Sequence, residues 1–140
     1  MEIEFDNIFY ANIIFGLTQS EEIIIAKDFK DAIKTINDYY SEPLISYIIS
    51  AKELIYFLDK IESDQKDNHY FVLEILVDNN EVKRQSFEEI GLGIESLKKK
   101  YELRECVFLH KDILKQDLEK VLSRVAETSE TALISELFLI

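Results

Sequence analysis

The chain owns one cysteine and two histidines, and these three residues set the first limit on its chemistry. Cys106 would need an imidazole base to act as a nucleophile, yet neither His69 nor His110 stands at a motif spacing from it. The thiol sits instead in the apolar run "CVFL", where cysteine behaves as a small hydrophobe. His110, in "FLHKD", stands where a strand end gives way to a helix cap, so a solvated imidazole is expected there. The usual zinc sites are excluded because no His-x-x-x-His or Cys-x-x-Cys pair exists. The stretch "DNNEVKRQSFEE" lacks the glycine and the ligand spacing of a calcium loop. Gly91 and Gly93 fall inside "EIGLGIESL", which reads as helix and not as a strand-to-helix phosphate loop. No serine carries the flanking glycines of a nucleophile elbow. Carboxylates are so abundant, at 28 Asp and Glu, that a close pair is no evidence of acid and base catalysis. The expectation is a chain that is not an enzyme, with no catalytic residue, metal or cofactor.

What the composition offers instead is charge. Against those 28 acids stand 16 Lys and Arg, a formal charge of −12. Such a field repels phosphate backbones and anionic lipid surfaces, and it attracts basic proteins or cationic ligands. Neither direct nucleic-acid binding nor membrane binding is expected. Residues 1–63 hold 5 basic and 12 acidic side chains, whereas residues 64–127 hold 11 and 14, so the first half is the more acidic. The N-terminus "MEIEFDNIFY" opens with acids and not with a basic leader, and no apolar run approaches the ~18 residues of a membrane helix. With a single cysteine as well, a cytoplasmic protein is expected.

The elements behind these side chains repeat. In "DFKDAIKTINDYY", Phe29, Ala32, Ile33 and Ile36 recur at helical spacing behind an Asp28 cap. In "SFEEIGLGIESLKKKY", Phe87, Ile90, Ile94, Leu97 and Tyr101 form a similar stripe behind a Ser86 and Glu89 capping box, with Lys98 to Lys100 at the end. Before the first helix, "FYANIIFGL" and "EEIIIA" read as a hairpin joined by "TQSE". Before the second, "YFVLEILV" and "EVKRQSF" read as a hairpin joined by "DNN". After the first come the strand "LISYII" and a helix opened by Ser50 and Glu53, with Leu54, Ile55, Leu58 and Ile61 inward. After the second come "ECVFL" and a helix led by Asp112, with Leu114, Leu118, Val121, Leu122 and Val125 inward.

The pattern predicts one α+β domain over residues 1–140, built as two tandem β-β-α-β-α units over 1–63 and 69–127. The hairpins would form a mixed or antiparallel sheet covered by about four helices. A unit of about sixty residues buries little apolar surface alone, which favours joining two. The tail "TALISELFLI", with Leu133, Leu137, Leu139 and Ile140, is expected as a C-terminal strand.

Binding is the function class that this leaves. Acids interleave with aromatics along the first half, and aromatics supply anchoring area while carboxylates complement a basic partner. The candidate partner-binding residues are Glu21, Glu22, Tyr39, Tyr40, Tyr56, Asp59 and Glu62. In composition, over its whole length and without a shared motif, the chain resembles bacterial immunity proteins and phage-encoded inhibitors of nucleic-acid-handling defence enzymes. That resemblance implies an inhibitor of immunity or anti-defence type that blocks a basic partner protein. The alternatives are an adaptor subunit acting through homodimerisation, and an enzyme or small-ligand binder with an unmarked carboxylate site.

Overall fold

Runs rich in Ile, Val, Phe and Tyr become the strands, and segments with apolar residues three and four apart become the helices. The computed structural model describes residues 5–78 and 81–129. After a single turn at Phe5–Asn7, the order is β1 (Ile8–Phe15), β2 (Thr18–Ile25), α1 (Phe29–Tyr39), β3 (Leu44–Ser50), α2 (Ala51–Asp64), β4 (His69–Asp78), β5 (Glu81–Ile90), α3 (Ile94–Lys100), β6 (Cys106–Leu109) and α4 (Lys111–Ser129). Among the described residues this is an α+β fold with two three-stranded sheets and four α-helices, and the order β-β-α-β-α occurs twice. The strand orders match, β2-β1-β3 and β5-β4-β6, and every pairing is antiparallel.

The correspondence extends to single side chains at a shift of sixty. Leu54 and Leu114 are both fully buried, Ile61 and Val121 are both buried, and Leu58 and Leu118 are both half-buried. Ser50 and His110, the residues just before α2 and α4, each cap the helix that follows. Ser50 Oγ accepts from the Glu53 N–H at 3.1 Å while the Ser50 N–H donates to Glu53 Oε1 at 3.1 Å, the expected capping box. Asp28 likewise caps α1 through the Asp31 N–H at 2.8 Å.

By proximity the described residues divide into two units, one holding those up to Ile55 together with those from Gln116, the other holding those of Tyr56–Lys115. In the first, β1 is the central strand and is buried on both faces. Phe9 meets Phe29 of α1 edge-on at 4.7 Å, above the buried Ala32, Ile33 and Ile36. On the opposite face Tyr10 meets Tyr47 at 5.8 Å beneath the later turns of α4. In the second unit, β4 takes the central place. Val72, Leu97 and Tyr101 pack with Phe87 and Phe108 on one face, while Phe71 stacks on Phe57 of α2 at 4.2 Å on the other.

The sequence reading differs from the structure at several joints. The segment "TQSE" is not a turn but the start of β2. The turn is Gly16–Leu17, where Gly16 takes φ +59, a conformation glycine adopts without steric penalty, and eight residue pairs align from Ile8↔Ile25 to Phe15↔Thr18. The helix expected from Ser86 does not begin there, because residues 81–90 pair along β4 through Ile90↔His69. Ser86 and Glu89 therefore make no capping box, and Phe87 and Ile90 belong to a strand. Gly91, at φ +92, ends that strand, and α3 starts only after Gly93. Ten residues of ladder hydrogen bonding outweigh a helical stripe interrupted by two glycines.

Asp112 does not lead α4: the Asp112 N–H donates to His110 Nδ1 at 3.0 Å, and the imidazole is half-buried against Tyr70 at 5.6 Å instead of solvated. Ile55 and Leu122 face outward, and Phe57 and Asp117 take inward positions of the two helices. The Asn79–Asn80 turn and the strand expected over 131–140 lie outside the described residues. Among those described, no helix is long and apolar enough to cross a membrane.

Candidate functional site

Glu21 and Glu22 are neighbours in β2, an outer strand among those described in its sheet, and as successive residues their side chains leave on opposite faces. Each organises a different cluster in the first unit.

On the α1 face, Glu22 Oε1 accepts hydrogen bonds from the Tyr40 hydroxyl and from Ser20 Oγ, the latter at 3.0 Å. The Glu22 carboxylate holds the Tyr40 phenol above the ordinary tyrosine pKa by favouring its protonated, donating form. Tyr40 packs on Phe15 at 4.8 Å and meets Tyr39 edge-on at 5.2 Å. Tyr39 itself is 81% exposed, and Leu17 at the hairpin tip and Leu44 at the start of β3 are exposed as well. Register joins them, since Phe15 pairs with Thr18 and Ile14 pairs with both Gln19 and Leu44. Glu42, in the loop between α1 and β3, adopts φ +49, a left-handed backbone that a side chain other than Asn or Asp rarely accepts. One end of the sheet thus presents aromatic and aliphatic side chains beside the exposed carboxylates of Asp38 and Glu42.

On the α4 face, Glu21 pairs with Lys120 Nζ at 3.0 Å, and that ammonium holds the Glu21 carboxyl below the usual carboxylate range. The same ammonium lies 5.8 Å from the Tyr10 ring centre and 4.0 Å from Asp117 Oδ1. Asp117 is only 6% exposed and accepts the Tyr47 hydroxyl at 3.1 Å, yet burial pushes its pKa up. Tyr10 is 1% exposed, and burial with the nearby Asp117 charge raises its phenol well above the usual tyrosine value. Its hydroxyl completes no hydrogen bond of normal geometry. Beside it lies a cavity of about 540 Å³, lined by Tyr10, Glu21, Gln116, Lys120 and Ser123 among others.

The remaining candidates belong to the second unit. Tyr56 is exposed on α2 with Lys60 Nζ 5.9 Å from its ring centre, Asp59 is exposed, and Glu62 pairs with Lys115 at 3.4 Å. The structure therefore joins Glu22, Tyr39 and Tyr40 into one surface and puts Glu21 on the other face of β2. Tyr10, Asp117 and Lys120 carry no sequence signal that names them as a cluster with Tyr47. The available signal was Asp117 itself, a carboxylate three residues after Leu114 and four before Val121, on a helix stripe otherwise apolar.

His69 is buried at 3% exposure with Nδ1 3.1 Å from Asp64 Oδ2 and Nε2 3.3 Å from Glu88 Oε2. A carboxylate thus stands opposite each ring nitrogen, and the imidazole borders a cavity of about 700 Å³. Cys106 has Glu74 as its polar neighbour at 3.7 Å, and burial pushes its thiol up, away from a reactive thiolate. Among the described residues, no group of three or more His, Cys, Asp or Glu is placed to hold a metal ion.

The opposed shifts give a pH test. Glu89, which accepts the Tyr101 hydroxyl at 2.7 Å and the Lys100 ammonium, has its pKa lowered, by Lys100 first. A lowered carboxyl adds stability above its unfolded pKa, and this is lost as pH falls through the folded value; a raised one such as Asp117 adds stability at low pH that is lost as pH rises through its folded value. Urea midpoints taken from about pH 3 to pH 7 should show Glu89→Gln growing less stable relative to the parent as pH rises, and Asp117→Asn growing more stable. Parallel curves for the parent and both variants would contradict these environments. No family model matches the chain, and neither a curated protein nor a solved structure does.

Proposed function

We propose that the chain is a non-enzymatic binding protein of inhibitor type, immunity or anti-defence, whose acidic first half engages a basic, nucleic-acid-handling protein. The observation that carries this reading is the end of the first sheet, where exposed Tyr39, Leu17 and Leu44 stand beside the exposed carboxylates of Asp38 and Glu42. Apolar anchors within a charged rim are the composition of a protein interface, and the formal charge of −12 selects a basic one. The Cys106 thiol, pushed by burial away from the reactive thiolate, supports binding over catalysis.

The test begins with capture of a binding protein from host lysate, its identification by mass spectrometry, and reconstitution from purified components. Stoichiometric addition should abolish the partner's nucleic-acid-handling activity. Association should slow as salt shortens the Debye length from about 10 Å to about 3 Å, while dissociation changes less. Tyr39→Ala should weaken binding about tenfold or more, whereas Glu95→Lys, on the exposed face of α3, should not. A partner that keeps its activity when saturated, or binding indifferent to Tyr39→Ala and to salt, would overturn the reading. A mass that rises with concentration in the absence of any partner would replace it with the homodimeric adaptor.

A further inference from the structure

At corresponding positions the two compact units, 1–55 with the residues from 116 and 56–115, keep different things. Phe57, seven residues after the α2 cap Ser50, stacks on Phe71 of β4 in a dry aromatic contact at 4.2 Å. Asp117, seven residues after the α4 cap His110, occupies the matching helix position, and Tyr10 of β1 matches Phe71. Where one unit holds two phenyl rings, the other holds a carboxylate, two phenols and the Glu21 and Lys120 ion pair. The stacked rings meet the packing demand of this architecture, so the polar set is not required by the fold. Departures of this kind mark functional positions.

The cluster already contains a bound cation, Lys120, whose ammonium touches Glu21, approaches Asp117 and lies over the Tyr10 ring. Aromatic face plus carboxylates is the chemistry that recognises ammonium and guanidinium groups. Lys120 is about half exposed and leaves the site incompletely used. The Tyr10 hydroxyl, buried near Glu21 and Asp117 but without a hydrogen bond of normal geometry, borders the cavity of about 540 Å³. An ammonium is a point charge with three donors on one atom, but a guanidinium spreads five across a plane. It can fork onto Glu21 and lie flat on the Tyr10 ring while a further N–H reaches the phenol oxygen. Glu119 and Arg124, which also line the cavity, carry opposite charges and leave the selection to the interior groups.

We propose that the cavity between β2 and α4 is a guanidinium site, in which an arginine side chain of the basic partner displaces Lys120 from Glu21 and takes its place over Tyr10. The identity of that arginine's owner rests on the protein-binding reading above; the site itself does not. Lys120 is then an internal plug that keeps Glu21 paired until the partner arrives. Because Glu21 and Glu22 leave opposite faces of one outer strand, a partner lying along β2 reaches both this cavity and the Tyr39 surface.

The experiment titrates the full chain with arginine amide, following the Tyr10 and Tyr47 ring signals by nuclear magnetic resonance. The parent should bind weakly, in the millimolar range, with shifts centred on Tyr10. Lys120→Met should bind about tenfold more tightly, which corresponds to about 1.4 kcal/mol. Lys98→Met, on exposed α3, should leave affinity unchanged. Glu21→Gln should remove binding in both backgrounds, and lysine amide should bind less tightly than arginine amide to Lys120→Met. Lys120→Ala serves as a second unplugged variant should the methionine disturb packing. Unperturbed Tyr10 signals in the parent, or equal affinity in the parent and both unplugged variants, would overturn the proposal. If arginine amide fails while partner binding still depends on Tyr39, the site falls and the protein-binding reading stands. The converse result removes the partner and keeps the site.

Discussion

Arg104→Ala should lower stability by about 3–5 kcal/mol, because it strands a charge inside the second sheet. Glu74 projects from the central strand β4 at 2% exposure, and its carboxylate is answered by Arg104, which bridges Oε2 through Nε and donates from Nη2 to Oε1 at 2.9 Å. The guanidinium also lies over the rings of Phe87 at 5.2 Å and Tyr101 at 5.7 Å, so its removal deprives the carboxylate and two aromatic faces together. Arg104→Lys retains the charge but loses the fork, and it should fall between the parent and the alanine variant. The double substitution Glu74→Met with Arg104→Met should recover most of the loss, since a buried pair exchanged whole for apolar groups is often neutral or stabilising. Denaturant melts of the four proteins at neutral pH measure the series. A loss below about 1 kcal/mol for Arg104→Ala would show that Glu74 does not depend on this partner.

The same residues explain where the sequence could be read and where it could not. Hairpins, helix stripes and the tandem order rest on local periodicity, and local periodicity is written in consecutive residues: Phe29, Ala32, Ile33 and Ile36 declare their own helix. Joints are decided by competition between neighbours. Ser86 and Glu89 spell a helix start, but pairing along β4 is a property of another segment, and nothing between residues 86 and 89 reveals that His69 lies opposite Ile90. Glu74 reads as the polar break in an apolar strand, and only the fold brings Arg104, thirty residues later, against it.

The candidate surface divides the same way. Tyr39, Tyr40 and Glu22 could be proposed because aromatic and acid density is visible in sequence, and a fold that returns the end of α1 to β2 does join them. Glu21 and Glu22 adjoin in sequence yet serve different clusters, since successive residues of a strand face opposite ways. The Tyr10, Tyr47, Asp117 and Lys120 cluster gathers residues from β1, β3 and α4 across more than one hundred positions, a distance over which no periodicity speaks.

Phe57→Ala should cost about 3–5 kcal/mol, while Asp117→Asn at the corresponding position of the other unit should change stability by less than about 1 kcal/mol. Phe57 is buried against Phe71 with rings stacked at 4.2 Å, so truncation removes both the apolar burial and the aromatic contact and leaves a cavity in a central layer. Asparagine at 117 keeps a carbonyl oxygen for the Tyr47 hydroxyl and removes a charge that burial disfavours. The small loss of attraction to Lys120, 4.0 Å away and half exposed, opposes that relief only weakly. Urea unfolding at neutral pH with the parent slope retained is the measurement. If the two variants lose equally, the polar cluster is as structural as the phenyl stack and its departure from the sister unit has no functional meaning. If Asp117→Asn is neutral in stability while arginine amide binds it more weakly, the cluster is held in the fold for recognition, and stability alone would have placed a ring there.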